Sequence, residues 1–385
     1  MAEARFELCD TAGRMKSLAR AISSLGDEGC ISLDTEFERT RTLIPKAAVV
    51  QLRFDGETYL ADPVSCSIDE VISALCMTRR TVLMFSARED LEVLAALSKA
   101  AGAEPRLPAH IEDLQLMGSF LGRGHMLGLA ACVQSELGAT LEKAETHSDW
   151  LSRPLTASQL EYAALDVLYL EDLRKKYLQG FGKDDRRLSW FAEEMRSMCA
   201  DALREPVPSE LYRQVQGAGS LSRRALQRLS YLCARRYEYA QEHNEALNRV
   251  ITGKALCSIA EHTPLTTQGL ASCGVNWGAV RQHGRLIIGW VKESMALPED
   301  DVAPAYDAYS PGRALRSSAE GMKQALASAA RKAGIAPELI CTKKLINDYF
   351  YARRTGGTPK LDSGWCRECL GGLDLKAAAY GKHHS

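Results

Sequence analysis

Strand-forming runs are confined to about the first 180 residues, and the chain beyond residue 185 reads at a helical period. Cys30 to Phe37 (CISLDTEF), Ala48 to Phe54 (AVVQLRF) and Thr58 to Leu60 (TYL) are short runs rich in β-formers. Asp55-Gly56 between the second and third is a strong two-residue hairpin signal, so a three-stranded antiparallel sheet is expected to start the domain. Thr81 to Phe85 (TVLMF) predicts another buried strand, and Leu91, Leu94, Ala95 and Leu97 then recur at helix spacing. Alternation of this kind through about residue 175 specifies a mixed α/β domain, a sheet with helices covering it.

In the second half, Leu226, Leu229, Cys233, Tyr237 and Ala240 step by three or four residues and define one apolar helix face, with Arg223, Arg224, Arg228, Arg235 and Arg236 on the other. Helical stretches from Lys254 and from Trp277 to Lys292 complete a bundle. Leu297 to Pro311, with three prolines and several acids, reads as a linker. A second helical unit follows, with Pro337 suited to a first turn and Leu339, Ile340, Leu345, Ile346, Tyr349 and Phe350 as its core. The expected organisation is an α/β domain over residues 1–180, a bundle over 205–295, a linker over 296–311 and a second bundle over 312–385.

A chain of 385 residues with 46% apolar composition supports two or three packed domains. Its longest apolar stretches, such as Leu286 to Val291, fall short of the roughly 18 to 20 residues of a membrane span. The N-terminal MAEARFELCDTAGRM has no apolar signal region, and a cytoplasmic protein is expected. The 12 cysteines lack framework spacing and read as reduced. Cys366 and Cys369 form one CxxC without the second pair that a tetrahedral zinc site needs. The formal net charge of −1 conceals an asymmetry: residues 1 to 180 hold 19 Lys and Arg against 27 Asp and Glu, a balance of −8, and the remainder holds 29 against 22, a balance of +7. Carboxylates gathered where cations bind and basic groups where phosphates lie suit an enzyme acting on a polyanion. Two domains with unlike surfaces would give the same totals.

Asp34 and Glu36 sit two apart on the first strand, so both carboxylates point to one face of the sheet. A DxE pair by itself usually marks a solvated face. Here Ile31, Leu33 and Phe37 surround it in a strand expected to be central, and carboxylates in such a place need a cation. Tyr162 and Asp166, four apart in SQLEYAALDVLYL, share one helix face, and Asp90 opens the helix after the Thr81 to Phe85 strand. Four acids from three elements could hold two divalent metals about 4 Å apart, the arrangement of phosphodiester cleavage, and Mg²⁺ or Mn²⁺ suits an oxygen-only site.

The order LDTEF, REDLEVL, YAALDV resembles the three-motif signature of the DEDD exonucleases, in the subclass with tyrosine in the last motif. RTRTLIPKAAVVQL, Asp113-Leu114-Gln115 and the run from Ser148 through Val167 are similar to the ribonuclease D family in particular. YRQVQGAGSLSRRALQRL through GRLIIGWVKES resembles the helicase-and-ribonuclease-D C-terminal (HRDC) domain, and about the last 75 residues resemble a second one. The resemblance implies a ribonuclease-H-like exonuclease domain followed by two all-α HRDC-type bundles. It implies Asp34, Glu36, Asp90 and Asp166 as ligands of two metal ions and Tyr162 as the group orienting the attacking water. It further implies 3′→5′ hydrolysis of RNA with release of nucleoside 5′-monophosphates, transfer RNA precursors as substrates, and a monomer. Ser86, His147 and Ala234 depart from the His, Arg and Trp common at those places in the family.

Three further features carry weaker readings. Thr35, Phe37, Trp150 and Arg153 are candidates to contact the substrate end, core packing being the competing account of Trp150. GRGHMLGLA, from Gly122 to Ala130, lacks the spacing of a phosphate loop and reads as a turn into a helix, with His125 a candidate RNA contact. Lys343, Lys344, Arg353 and Arg354 form a basic group that could guide RNA or simply be a solvated helix face. The competing functions are a DNA-directed exonuclease, which the same site would serve, and an RNA-binding protein that has lost activity. Retention of all four acids speaks against the second, and the absence of a P-loop speaks against a nucleotide-driven helicase module.

Overall fold

The computed structural model describes residues 5–102, 104–141, 148–298, 302–306 and 316–380. The chain divides into two compact units: Met1–Glu38, Pro45–Arg204 and Ser328–Leu339 form one, and Arg39–Ile44, Glu205–Ala327 and Ile340–Ser385 the other.

The first unit is α/β. Its elements are β1 (Glu7–Cys9), α1 (Ala12–Ser23), β2 (Cys30–Glu38), β3 (Lys46–Phe54), β4 (Glu57–Ala61), α2 (Asp69–Met77), β5 (Thr81–Met84), α3 (Arg88–Ala100) and β6 (Ile111–Asp113). Helices α4 (Leu114–Phe120), α5 (Leu129–Leu137), α6 (Ala157–Leu168), α7 (Leu170–Gly180) and α8 (Arg186–Leu203) follow. The six strands run in the order β1-β4-β3-β2-β5-β6. The antiparallel β2-β3-β4 meander matches the expectation from sequence, and its tight turn has Asp55 at φ 50° and Gly56 at φ 88°, the pair of positive angles that a right-twisted hairpin requires. β5 pairs parallel to β2, β6 to β5 and β1 to β4. Strands β1 and β6 have three residues each, too few to show a period, which is why the sequence pattern missed them. The unit also extends through α8, whose Trp190, Phe191 and Met195 are buried, beyond residue 180, the expected end of the α/β domain.

Strand β2 is interior to the sheet. Ile31, Leu33, Val49, Val50 and Leu52 on β2 and β3 are wholly buried, so the residues between them are held in a rigid layer. Helix α6 packs on β2, β3 and β4. It begins with a capping box in which the Thr156 hydroxyl accepts from Gln159 N and the Gln159 amide oxygen accepts from Thr156 N.

The second unit is helical. It contains α9 (Arg223–His243), α10 (Leu247–Val250), α11 (Gly253–His262), α12 (Thr267–Ser272) and α13 (Trp277–Ala296). Leu226, Leu229 and Cys233 on α9 join Leu256, Ile259, Ile287 and Trp290 in one apolar cluster. The arginines of α9 do not all form a solvated face, however. Arg236 is buried and donates to Ile251 O, Arg228 donates to Ala260 O, and Arg224 donates to Met295 O and Leu297 O at the end of α13. A guanidinium reaches across a helix surface to the orphan carbonyls of a neighbouring helix end, and periodicity does not reveal this.

Helices α14 (Arg316–Ala333), α15 (Lys343–Thr355), α16 (Gly364–Leu370) and α17 (Leu375–Tyr380) complete the described chain. Ile346, Tyr349 and Phe350 of α15 are buried as expected, and Pro337 opens a 3₁₀ turn, Pro337–Leu339. Of the expected linker, residues 299–301 and 307–311 lie outside the described residues. All 12 cysteines are free, and Cys366 and Cys369 are buried on α16. Among the described residues no helix is long and apolar enough to cross a membrane.

Candidate active site

The local rules of strand and helix bring three carboxylates together. Asp34 and Glu36 leave β2 on one face, Asp166 comes from α6 packed on that strand, and one oxygen from each lies within 4.8 Å of the others. A register shift falls immediately after Glu36, a bulge of the kind that re-aims side chains at active sites. Asp90, in the first turn of α3, is buried outside this trio, and the Thr35 hydroxyl donates to its Oδ1 at 2.5 Å. Tyr162 stands one turn before Asp166 on α6, half-buried, its ring 6.0 Å from that of Trp150.

The electrostatics agree with the geometry. Burial raises the Asp34 carboxyl well above its ordinary range, and the charges of Asp90, Asp166 and Glu36 raise it further. Burial, then Asp166 and Asp90, push Glu36 up to about 8. Asp166 is pushed up to about 7 by burial and by Asp90, and Asp90 to about 7 by burial, against the lowering effect of the Thr35 hydroxyl. Such a group cannot be fully ionised at neutral pH unless positive charge joins it. An all-oxygen donor set with surplus negative charge fits hard divalent cations.

Gln51 was not singled out by the sequence reading. It lies directly opposite Asp34 in the β2-β3 register, so its side chain shares that face, and it is wholly buried with neither amide atom partnered among the described residues. A buried amide without partners is costly, which fits a side chain reserved for solvent or ligand at the carboxylates. The available signal was one polar residue inside the otherwise apolar AVVQL.

Of the four expected substrate contacts, Thr35 is buried against Asp90 and Phe37 is half-buried just past the bulge. Trp150 packs with Ala48, Val49, Leu60, Ala163 and Ala164, the core-packing alternative. The five N–H groups of Arg153 are all engaged: Nε and Nη2 on Asp62, Nη2 also on Ala48 O, and Nη1 on Trp150 O and Ser152 O. That leaves no donor for a phosphate, so Arg153 is a brace between β3, β4 and the segment entering α6. Ser86 is exposed at φ 63°, and its N–H donates to Asp113. His147 lies outside the described residues. The Gly122 to Ala130 segment is a turn into α5, with His125 Nδ1 3.4 Å from Ser119 Oγ. Lys343 and Lys344 are exposed at the start of α15, and Arg353 is paired with Asp362.

Comparison with known proteins gives this arrangement its context. A family description for a 3′-5′ exonuclease matches residues 11–179, and one for the HRDC domain matches residues 225–291. The ribonuclease D of Pseudomonas paraeruginosa is 32% identical over 368 residues, 94% of this chain and 95% of that protein. The chain belongs to the ribonuclease D family. The ribonuclease D of Escherichia coli is 29% identical over 374 residues, covering 95% of this chain and 96% of its own. Its crystal structure, described as that of an exoribonuclease involved in structured RNA processing, superposes with a TM-score of 0.83 over 97% of this chain and 98% of that one, at 28% identity. Ribonuclease D membership makes the chain a 3′→5′ exoribonuclease, and the Asp34, Glu36 and Asp166 cluster is where its divalent cations fit.

Proposed function

We propose that Asp34, Glu36, Asp90 and Asp166 together hold two divalent ions, Mg²⁺ or Mn²⁺, and that the chain hydrolyses the terminal phosphodiester of RNA 3′ ends, releasing nucleoside 5′-monophosphates. The observation that carries this reading is the meeting of Asp34, Glu36 and Asp166 oxygens within 4.8 Å, all three residues half-buried. When bound, such ions supply charge for the attacking and leaving oxygens. The residues supply the placement: β2 fixes Asp34 and Glu36, the capping box fixes the start of the α6 helix that carries Tyr162 and Asp166, and Thr35 fixes Asp90. Tyr162 is assigned to orient the water by a hydrogen bond from its phenol. Precursors of transfer RNA are the proposed substrates, acted on by a monomer in the cytoplasm.

We also assign residues 1–180 to the exonuclease domain, 205–295 to a first HRDC domain, 296–311 to a linker and 312–385 to a second HRDC-like bundle. The buried Ile346, Tyr349, Phe350, Leu361 and Trp365 support helical packing in the Ile340–Ser385 part of the last of these, while its Ser328–Leu339 stretch groups with the α/β unit.

The test is digestion of a 5′-labelled, 3′-extended transfer RNA with Mg²⁺, Mn²⁺ or EDTA, beside Asp34→Asn protein and a matched DNA oligonucleotide. Stepwise shortening from the 3′ end that requires the metal and Asp34 and spares DNA is expected. Intact RNA under every metal condition would overturn the reading.

A further inference from the structure

Four of the five tryptophans are buried: Trp150, Trp190, Trp290 and Trp365. The fifth, Trp277, is 51% exposed at the first position of α13. Arg281 and Arg285 follow at i+4 and i+8, which places all three side chains on one face of that helix, the two guanidiniums one turn, about 6 Å, apart along the axis. Both arginines are exposed, and neither has an ion-pair or hydrogen-bond partner among the described residues. With Thr267, Val280 and Gln282 they line a shallow groove of about 290 Å³. The 31 residues from His262 to Lys292 contain no Asp or Glu, so the face is basic without a neighbouring acid on its own segment. Most other arginines of this unit, including Arg224, Arg228, Arg235 and Arg236, are spent on carbonyls or carboxylates.

We infer that the Trp277, Arg281 and Arg285 face of α13 is a docking surface for single-stranded RNA, an inference that rests on the exoribonuclease reading for the identity of the polyanion. An exposed indole offers a base a stacking plane at little conformational cost, and two free guanidiniums hold phosphates on the same side. Burying that indole against a base would also take a large, half-exposed aromatic out of solvent. The interaction is with backbone and base faces, so it is indifferent to sequence and sensitive to salt.

The full chain is titrated in EDTA with a 20-nucleotide oligouridylate, following tryptophan emission and, separately, affinity by anisotropy. RNA is expected to quench the emission. Trp277→Phe should abolish the quenching while keeping the affinity within a few-fold, and Trp277→Ala should weaken binding about five- to 100-fold. Arg281→Gln with Arg285→Gln should reduce the slope of log affinity against log salt by about 1.4. All three positions are on the surface, and unchanged circular dichroism confirms the fold. With metal restored, the variants should still trim a four-nucleotide RNA at the parent rate. Parent-like affinity and slope in the Trp277→Ala and the double arginine variants would overturn the surface while leaving the exoribonuclease reading intact. Failure of the parent protein to trim RNA would instead overturn that reading.

Discussion

Replacing Arg153 by Met keeps most of the apolar stem and removes the fork that ties Asp62 to the rest of the α/β unit. Asp62 is 2% exposed, and burial alone would raise its carboxyl, yet the Arg153 fork and the Ser65 hydroxyl hold it below its ordinary range. Without the guanidinium, Asp62 keeps only the Ser65 hydroxyl and the N–H groups of Val64 and Ser65. Breaking one side of a buried pair costs about 3–5 kcal/mol, because the surviving charge remains desolvated. For a unit of this size that corresponds to a fall in melting temperature of about 10 °C. The measurement is thermal unfolding of the whole chain, the α/β transition being recognised by its upward shift on adding a divalent cation. The sign with pH follows from the depressed carboxyl: its contribution is present above the unfolded value near 4 and lost below it, so the deficit of the variant is largest at neutral pH and shrinks on acidification. Arg153→Met with Asp62→Asn, which removes the stranded charge, should recover much of the loss. A deficit under about 1 kcal/mol, or a double variant no better than the single one, would refute the account of Arg153 as a brace.

Three other perturbations address the carboxylate cluster. Because Glu36 stands at about 8 and Asp90 and Asp166 at about 7, above their ordinary values, the folded state holds protons that the unfolded chain releases; that stabilisation is full below about pH 4 and is lost as pH rises through 7 to 8. In EDTA the α/β transition should therefore fall between pH 6 and 8, and Mn²⁺ should raise it at pH 8; indifference to the cation there would remove the cluster as a cation site. Thr35→Val deletes the donor to the buried Asp90 and should weaken metal activation of RNA trimming about 10- to 100-fold, read by titrating metal against rate, while lowering the melting temperature by a few degrees. Gln51→Leu removes a buried amide that has no partner among the described residues, so the metal-free protein should melt no lower than the parent while trimming slows; a lower melting temperature would show that the amide is satisfied within the fold.

Much of this architecture was readable in residue order. The β2-β3-β4 meander was, because Asp55-Gly56 dictates a tight turn and the flanking runs are long enough to show β character. The convergence of Asp34 with Glu36, and of Tyr162 with Asp166, was also readable, since a two-residue step on a strand and a four-residue step on a helix each fix a common face. What remained hidden depends on partners distant in sequence. Arg153 looks in isolation like a guanidinium offered to a phosphate, and only the fold brings Asp62, 91 residues away, to occupy it. Arg236 sits among arginines that a helical wheel assigns to solvent, and only packing reveals that it donates a hydrogen bond to Ile251 O and that it lies inside. Gln51 is one polar letter in a strand until the antiparallel register sets it opposite Asp34. Periodicity is a property of one element, so it determines which face a residue occupies; what that face meets depends on long-range packing, and this decided which side chains hold the fold and which, like Trp277, Arg281 and Arg285, stay exposed.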